Sequence, residues 1–131
     1  MQGYAAQTRR YQEVQVLSAS PGELVVMIYD HLLSNLVKAS RALGSSPQEL
    51  EQRSKALSVS RAAVAELLAT LDAEKGGEIA HTLRSLYAFF LMELSTLGVT
   101  PDGDRLDRLT RMVQELREAF ASALTQTAAV A

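Results

Sequence analysis

At 131 residues the chain has the length of one domain, and a domain of that size buries roughly two-thirds of its unfolded surface, so it folds without a metal or disulfide. It contains no cysteine, which excludes disulfides and thiolate chemistry and is compatible with a reducing compartment; thirteen basic and fifteen acidic residues give a formal charge of −2, without the basic excess typical of nucleic-acid binding. Apolar residues make up 47 %, but aromatics only 5 %, and tryptophan is absent, so Leu, Ala and Val supply the core, a choice that suits helices better than sheets.

Residues 1–19 read as an arm. The opening MQGYAAQTRRYQ lacks the apolar segment of a secretory signal, and no apolar run in the chain approaches the ~18 residues of a membrane span, so membrane insertion is not expected. Tyr4, Tyr11, Val14, Val16 and Leu17 punctuate the arm without a helical repeat. Two readings follow: a disordered terminus, or a tethered strap that folds back over an apolar groove and is displaced by a partner.

Four helices follow. Ser20-Pro21-Gly22-Glu23 is a capping box with proline at the first helical position, opening a helix at about 21–43 that Gly44 stops. Ser46-Pro47-Gln48-Glu49 repeats the signature and opens a second at about 47–71. Asp72 to Gly77 reads as a turn. The third helix is expected over about 77–97, ending before Gly98, and the fourth over about 103–124, after Thr100-Pro101-Asp102-Gly103. Residues 125–131 read as a frayed tail.

Apolar residues recur at helical steps: Leu50, Leu57, Val64 and Leu71 on the second helix; Ile79, Leu83, Leu86, Phe90, Leu94 and Leu97 on the third; Leu106, Leu109, Val113, Leu116, Phe120 and Leu124 on the fourth. Short connections make neighbours antiparallel. The expected fold is all-α: an antiparallel up-down-up-down four-helix bundle over residues 20–124 with a flexible N-terminal arm.

The first and third helices carry more apolar surface than one core requires. Leu24, Val25, Val26, Ile28, Tyr29, Leu32, Leu33, Leu36 and Val37 spread over roughly 220° of the first helix at 100° per residue. The third has Ala88, Phe89 and Met92 beyond its main stripe, and the second flanks its stripe with Ala56, Ser60 and Ala63. These faces are either core between two neighbours or a groove for an amphipathic helix, with small residues beside it.

Chemistry is harder to find. His31 and His81 lie outside any zinc spacing, so no metal is expected. Lys75-Gly76-Gly77 lacks the phosphate-loop frame, no serine lies in GxSxG, and Glu115 and Glu118 sit on a strongly charged face. No cofactor and no enzymatic activity are expected. One alternative concerns Ala80-His81-Thr82-Leu83-Arg84, which resembles the phosphoacceptor segment of histidine phosphotransfer domains, with Arg84 as the balancing base; Ser85 stands where those domains usually have glycine. A generic helical adaptor is a third reading.

The segment YQEVQVLSASPGELVVMIYDHLLSNLVKA, Tyr11 to Ala39, resembles the opening of the FliS family of flagellar secretion chaperones, and LDAEKGGEIAHTLRSLY, Leu71 to Tyr87, is similar to that family's second signature. His31 stands where a glycine is common in the family, Ser18 where threonine is, and Phe120 where a tryptophan is frequent. The resemblance implies a cytoplasmic, ATP-independent chaperone for the disordered C-terminal segment of flagellin, a further contact with the flagellar export gate, and a monomer or weak homodimer. It also implies an arm represented by Tyr11, Val14 and Leu17 that covers a groove around Val25, Val26, Tyr29 and Leu33. With Phe89 and Met92 from the third helix, these are the expected partner-binding residues.

Overall fold

A computed structural model describes residues 19–71 and 73–130, with side chains over 19–71 and 76–126. Four helices fill it: α1 (Pro21–Ser40), α2 (Pro47–Ala69), α3 (Ala73–Val99) and α4 (Gly103–Val130), with no strand among the described residues. The fold is an all-α four-helix bundle.

Both expected helix starts form through their serine caps, whereas a carboxylate bond back to the cap's backbone N–H is made at neither among the described residues. The Ser20 hydroxyl accepts the Glu23 N–H at 3.2 Å, and Pro21 opens α1, where its missing N–H costs nothing. Ser46 accepts the Glu49 N–H at 3.2 Å. The Glu49 carboxylate turns back to take the Ser46 hydroxyl at 3.1 Å and the Gly44 N–H at 2.9 Å, which ties the preceding loop to the start of α2. The N-terminus of α4 is held by Asp102, whose carboxylate accepts the Arg105 N–H at 3.1 Å.

Five ends differ from expectation. α2 stops at Ala69 rather than near residue 71, and α3 runs through Gly98 to Val99 rather than ending before that glycine. α1 stops at Ser40 rather than near residue 43, because the chain beyond it is claimed from another helix: Arg53 of α2, nearly buried, donates to the carbonyls of Ala42 at 2.7 Å and Gly44 at 2.9 Å. α3 begins at Ala73, but Gly77 interrupts it with φ 55° and ψ −133°, a backbone region that glycine alone occupies without strain. The regular part of α3 thus starts at the Gly-Gly pair, and residues 73–76 form a separate turn. α4 continues to Val130 rather than ending near residue 124. Its last described side chains have an anchor: Leu124 lies so close to Gly22 of α1 that any Cβ there would collide with it.

The Arg53 clasp gives a first prediction. Arg53→Met keeps the aliphatic stem but leaves two loop carbonyls without their charged donor, and charge-assisted hydrogen bonds of this kind contribute about 1.5–3 kcal/mol each. A loss of about 2–3 kcal/mol is expected, measured by urea unfolding.

Around the bundle the helices follow the order α3, α2, α1, α4. α1 packs closely on α2 and on α4, and α2 packs on α3, whereas the backbones of α3 and α4 meet at few places although a three-residue loop joins them. The core is built from Tyr29, Leu32 and Leu36 of α1, Leu57, Val64 and Leu67 of α2, Tyr87, Phe90, Leu94 and Leu97 of α3, and Leu106, Leu109 and Val113 of α4. Burying each of these large side chains stabilises the fold by about 1.5–3 kcal/mol. The small residues Ala56, Ser60 and Ala63 are all buried. Ala56 faces Asn35 and Lys38 of α1, and its stripe continues at steps of four and three. Ser60 and Ala63 serve close packing within the bundle, Ala56 does so while also bordering a surface groove between α1 and α2, and Ser60 satisfies its buried hydroxyl on the Ala56 carbonyl at 2.8 Å.

Candidate partner-binding seam

Large apolar side chains are exposed at several places, Val37 on α1, Leu50 on α2 and Ile79 and Val99 on α3 among them, and on the weakly closed side of the bundle such surface borders a cleft. On α3, Phe89 is 43 % exposed and Met92 71 % exposed. Phe89 forms one wall of a cleft of about 350 Å³ whose other residues are Glu93 of α3 and Arg105, Arg108, Leu109 and Met112 of α4. Helical spacing extends both walls. Leu86 lies on the same stripe of α3 as Phe89 and Glu93, and Leu116 and Phe120 follow Met112 on α4 at steps of four. Leu86, Met112, Leu116 and Phe120 are all half-buried against the core. An apolar strip thus runs along the α3–α4 seam without being sealed by it.

A charged clasp closes the loop end of this seam. Arg105 of α4 donates to both carboxylate oxygens of Glu93 of α3, each bond 2.7 Å. The paired guanidinium hydrogen bonds hold the Glu93 carboxyl below its ordinary pKa, so the clasp stays charged at neutral pH. On the opposite flank of α4, Arg117 reaches Asp30 of α1 at 2.9 Å, an exposed pair of the kind that contributes little stability.

Behind the seam lies a polar contact that helical periodicity does not reveal. The hydroxyls of Tyr29 (α1) and Tyr87 (α3) meet at 2.5 Å, and the Tyr29 ring packs on Phe120 of α4 with centroids 5.4 Å apart. Tyr29 therefore touches both walls from the inside. Burial, reinforced by the Tyr87 hydroxyl, pushes its pKa far above the usual phenol value; burial also raises Tyr87, opposed by the same hydrogen bond. Both stay neutral.

The model of the family described as flagellar protein FliS matches residues 3–127. The chain belongs to the FliS family. It is 33 % identical over 110 residues to the flagellar secretion chaperone FliS of Campylobacter jejuni, covering 84 % of each chain. It is 34 % identical over 110 residues to that of Salmonella typhimurium, covering 82 % of this chain and 79 % of the relative. With the Escherichia coli protein it shares 30 % identity over 129 residues, 92 % of each. FliS proteins form a chaperone family, not an enzyme class. Among the described residues no helix is long and apolar enough to cross a membrane, and no cluster of His, Cys, Asp and Glu is placed to hold a metal.

Within this FliS-family fold the expected contact residues separate. Phe89 and Met92 stand at the surface. Val25, Val26 and Leu33 are half-buried; Val26, with Met27, Leu124 and Ala121, lines a second shallow cleft of about 310 Å³ between the start of α1 and the end of α4. Tyr29 is a correction: it is 0 % exposed and belongs to the core, forming the floor beneath the seam instead of its surface. Tyr11, Val14 and Leu17 lie outside the described residues. His81 is exposed on α3, where its carbonyl accepts the Ser85 hydroxyl at 3.3 Å. Met112 and the Glu93–Arg105 clasp escaped the sequence reading. Met112 sits one turn from Leu109 and Leu116, a spacing that could have flagged it; the clasp had no such signal, since its partners come from different helices.

Proposed function

We propose that this chain is the export chaperone of a flagellin: it binds the disordered C-terminal segment of that protein in the cytoplasm, keeps it from polymerising, and delivers it to the flagellar type III export apparatus. The observation that carries this reading is the unsealed α3–α4 seam, where exposed Phe89 shares a cleft with half-buried Met112 and Leu116 follows one turn on, while Met92 adds exposed apolar surface on the outer side of α3. The names of the relatives, flagellar secretion chaperones, supply the cargo class.

The mechanism is coupled folding and binding. Apolar positions of the flagellin segment settle as helical turns along the seam, so the residues that would pair in a filament are occupied. A contact burying ~1,000 Å² of apolar surface supplies about 25 kcal/mol gross at ~25 cal/mol per Å², most of it offset by ordering a flexible segment. Binding of this kind needs no nucleotide, and the arm carrying Tyr11, Val14 and Leu17 would act as the displaceable cover.

The test is co-purification with full-length flagellin and with flagellin lacking its last ~40 residues, which span about 60 Å as helix at 1.5 Å per residue. Full-length flagellin is expected to form a stoichiometric complex and the truncated protein none. Equal retention of both would overturn the reading.

A further inference from the structure

The side of the bundle opposite the seam carries a feature that the chaperone reading does not use. α1 and α2 pack closely there, and a groove of about 370 Å³ runs between them. Its floor is small, Ala56 and Val59 beside the buried Asn35, whose amide donates to the His31 carbonyl at 2.9 Å, while Lys38 and Arg41 line the α1 bank and Gln52 and Lys55 the α2 bank. All three cations are exposed, and none forms an ion pair with an acidic group among the described residues. Glu51 lies one turn before Lys55, yet the two stay beyond salt-bridge distance.

Helix capping accounts for part of this charge. Lys38 in the last turn of α1 and Arg41 at its cap oppose the negative end of the helix dipole. Lys55 lies mid-helix on α2 and has no such role. The chain is acidic overall, at −2, so its long-range field does not draw an acidic partner; a compact positive patch supplies recognition that net charge does not.

We infer that the α1–α2 groove is a second docking surface, for an acidic amphipathic helix of a protein other than the cargo. A groove between two antiparallel helices runs along their axes and accepts a third helix. Small side chains on the floor let that helix come near, and cations on both banks pair with carboxylates flanking its apolar stripe. Because this surface lies across the bundle from the seam, both can be occupied at once, so a loaded chaperone remains able to engage its next partner.

The probe is a fluorescein-labelled synthetic amphipathic peptide of about four helical turns, alanine and leucine on one face and glutamate on its flanks, followed by anisotropy against the full-length chain. Saturable binding is expected at low salt, weakening several-fold as salt rises from about 50 to 300 mM. The variant K38E/R41E/K55E, its fold checked by circular dichroism, is expected to bind at least ten-fold more weakly, whereas F89D/M92D at the seam binds as the parent does. The proposal is overturned if the peptide fails to saturate, if the triple variant binds it equally, if a lysine-for-glutamate control peptide binds as well, or if the seam variant loses it. It is equally overturned if the three cations instead drive binding of a single-stranded RNA oligonucleotide, or a concentration-dependent dimer in sedimentation, without peptide binding.

Discussion

Tyr29→Asp is expected to leave the chain largely unfolded. The substitution deletes a ring that contacts Tyr87 and Phe120 and sets a carboxylate at a position with no solvent exposure. Removing a large aromatic from a core costs about 3–5 kcal/mol, and an unpaired buried charge adds several more. Domains of this kind have about 5–15 kcal/mol in total. Circular dichroism and urea titration read the outcome. A folded, stable Tyr29→Asp protein would mean that the residue faces outward after all.

The gentler variants separate the hydroxyl from the ring. Tyr29→Phe alone, or Tyr87→Phe alone, leaves the partner hydroxyl buried with its hydrogen bond gone and is expected to cost about 1–3 kcal/mol. The double variant removes both hydroxyls and should recover most of that loss. Both phenols have pKa values raised above the usual 10, chiefly by burial. Above that pH the unfolded chain releases protons that the folded chain keeps, so the unfolded state gains. Stability is therefore fully present below pH ~10 and then falls by up to ~1.4 kcal/mol per pH unit for each phenol. The double phenylalanine variant lacks this alkaline loss.

Local chemistry was legible in the sequence. Ser20-Pro21 and Ser46-Pro47 begin helices where their side-chain chemistry requires, and the Gly76-Gly77 pair marks the start of the regular part of α3. These signals act within a few residues of themselves. Two of the misplaced ends were decided from far away in the chain: Arg53 settles the loop after α1, and Gly22 receives Leu124 of α4. Periodicity identified which faces are apolar but not which helix each would meet. Tyr29 and Phe89 both lay on wide apolar arcs; one became the floor of the seam and the other its rim, because α1 touches two neighbours closely while α3 and α4 scarcely touch. The same ambiguity left Ala56, Ser60 and Ala63 open between core and groove, because their small size suits a groove and a tight helix contact equally well.

Phe89→Asp combined with Met92→Asp tests the seam where Tyr29 cannot. Both side chains are substantially exposed, and surface replacements away from the core usually shift stability by no more than about 0.5 kcal/mol each. The variant is therefore expected to fold, with urea unfolding close to that of the parent. Its effect on flagellin is expected to be large, because a bound apolar segment would have to desolvate two new carboxylates, of which only the one at position 89 lies beside a cation without an ion pair among the described residues, Arg108 of the same cleft. Arg105 already serves Glu93 through two short hydrogen bonds. A loss of at least 100-fold in affinity, about 2.7 kcal/mol, is expected by titration calorimetry. Val26→Asp makes the informative comparison. Val26 is half-buried in the cleft beside Leu124, so a charge there is expected to reduce stability by about 1–2 kcal/mol whether or not cargo reaches that end of the bundle. If the seam variant binds flagellin normally while Val26→Asp does not, the cargo lies along α1 and α4 instead. If both bind normally and flagellin truncated at its C-terminus is still rejected, the chaperone reading stands and the recognising surface is elsewhere on the bundle.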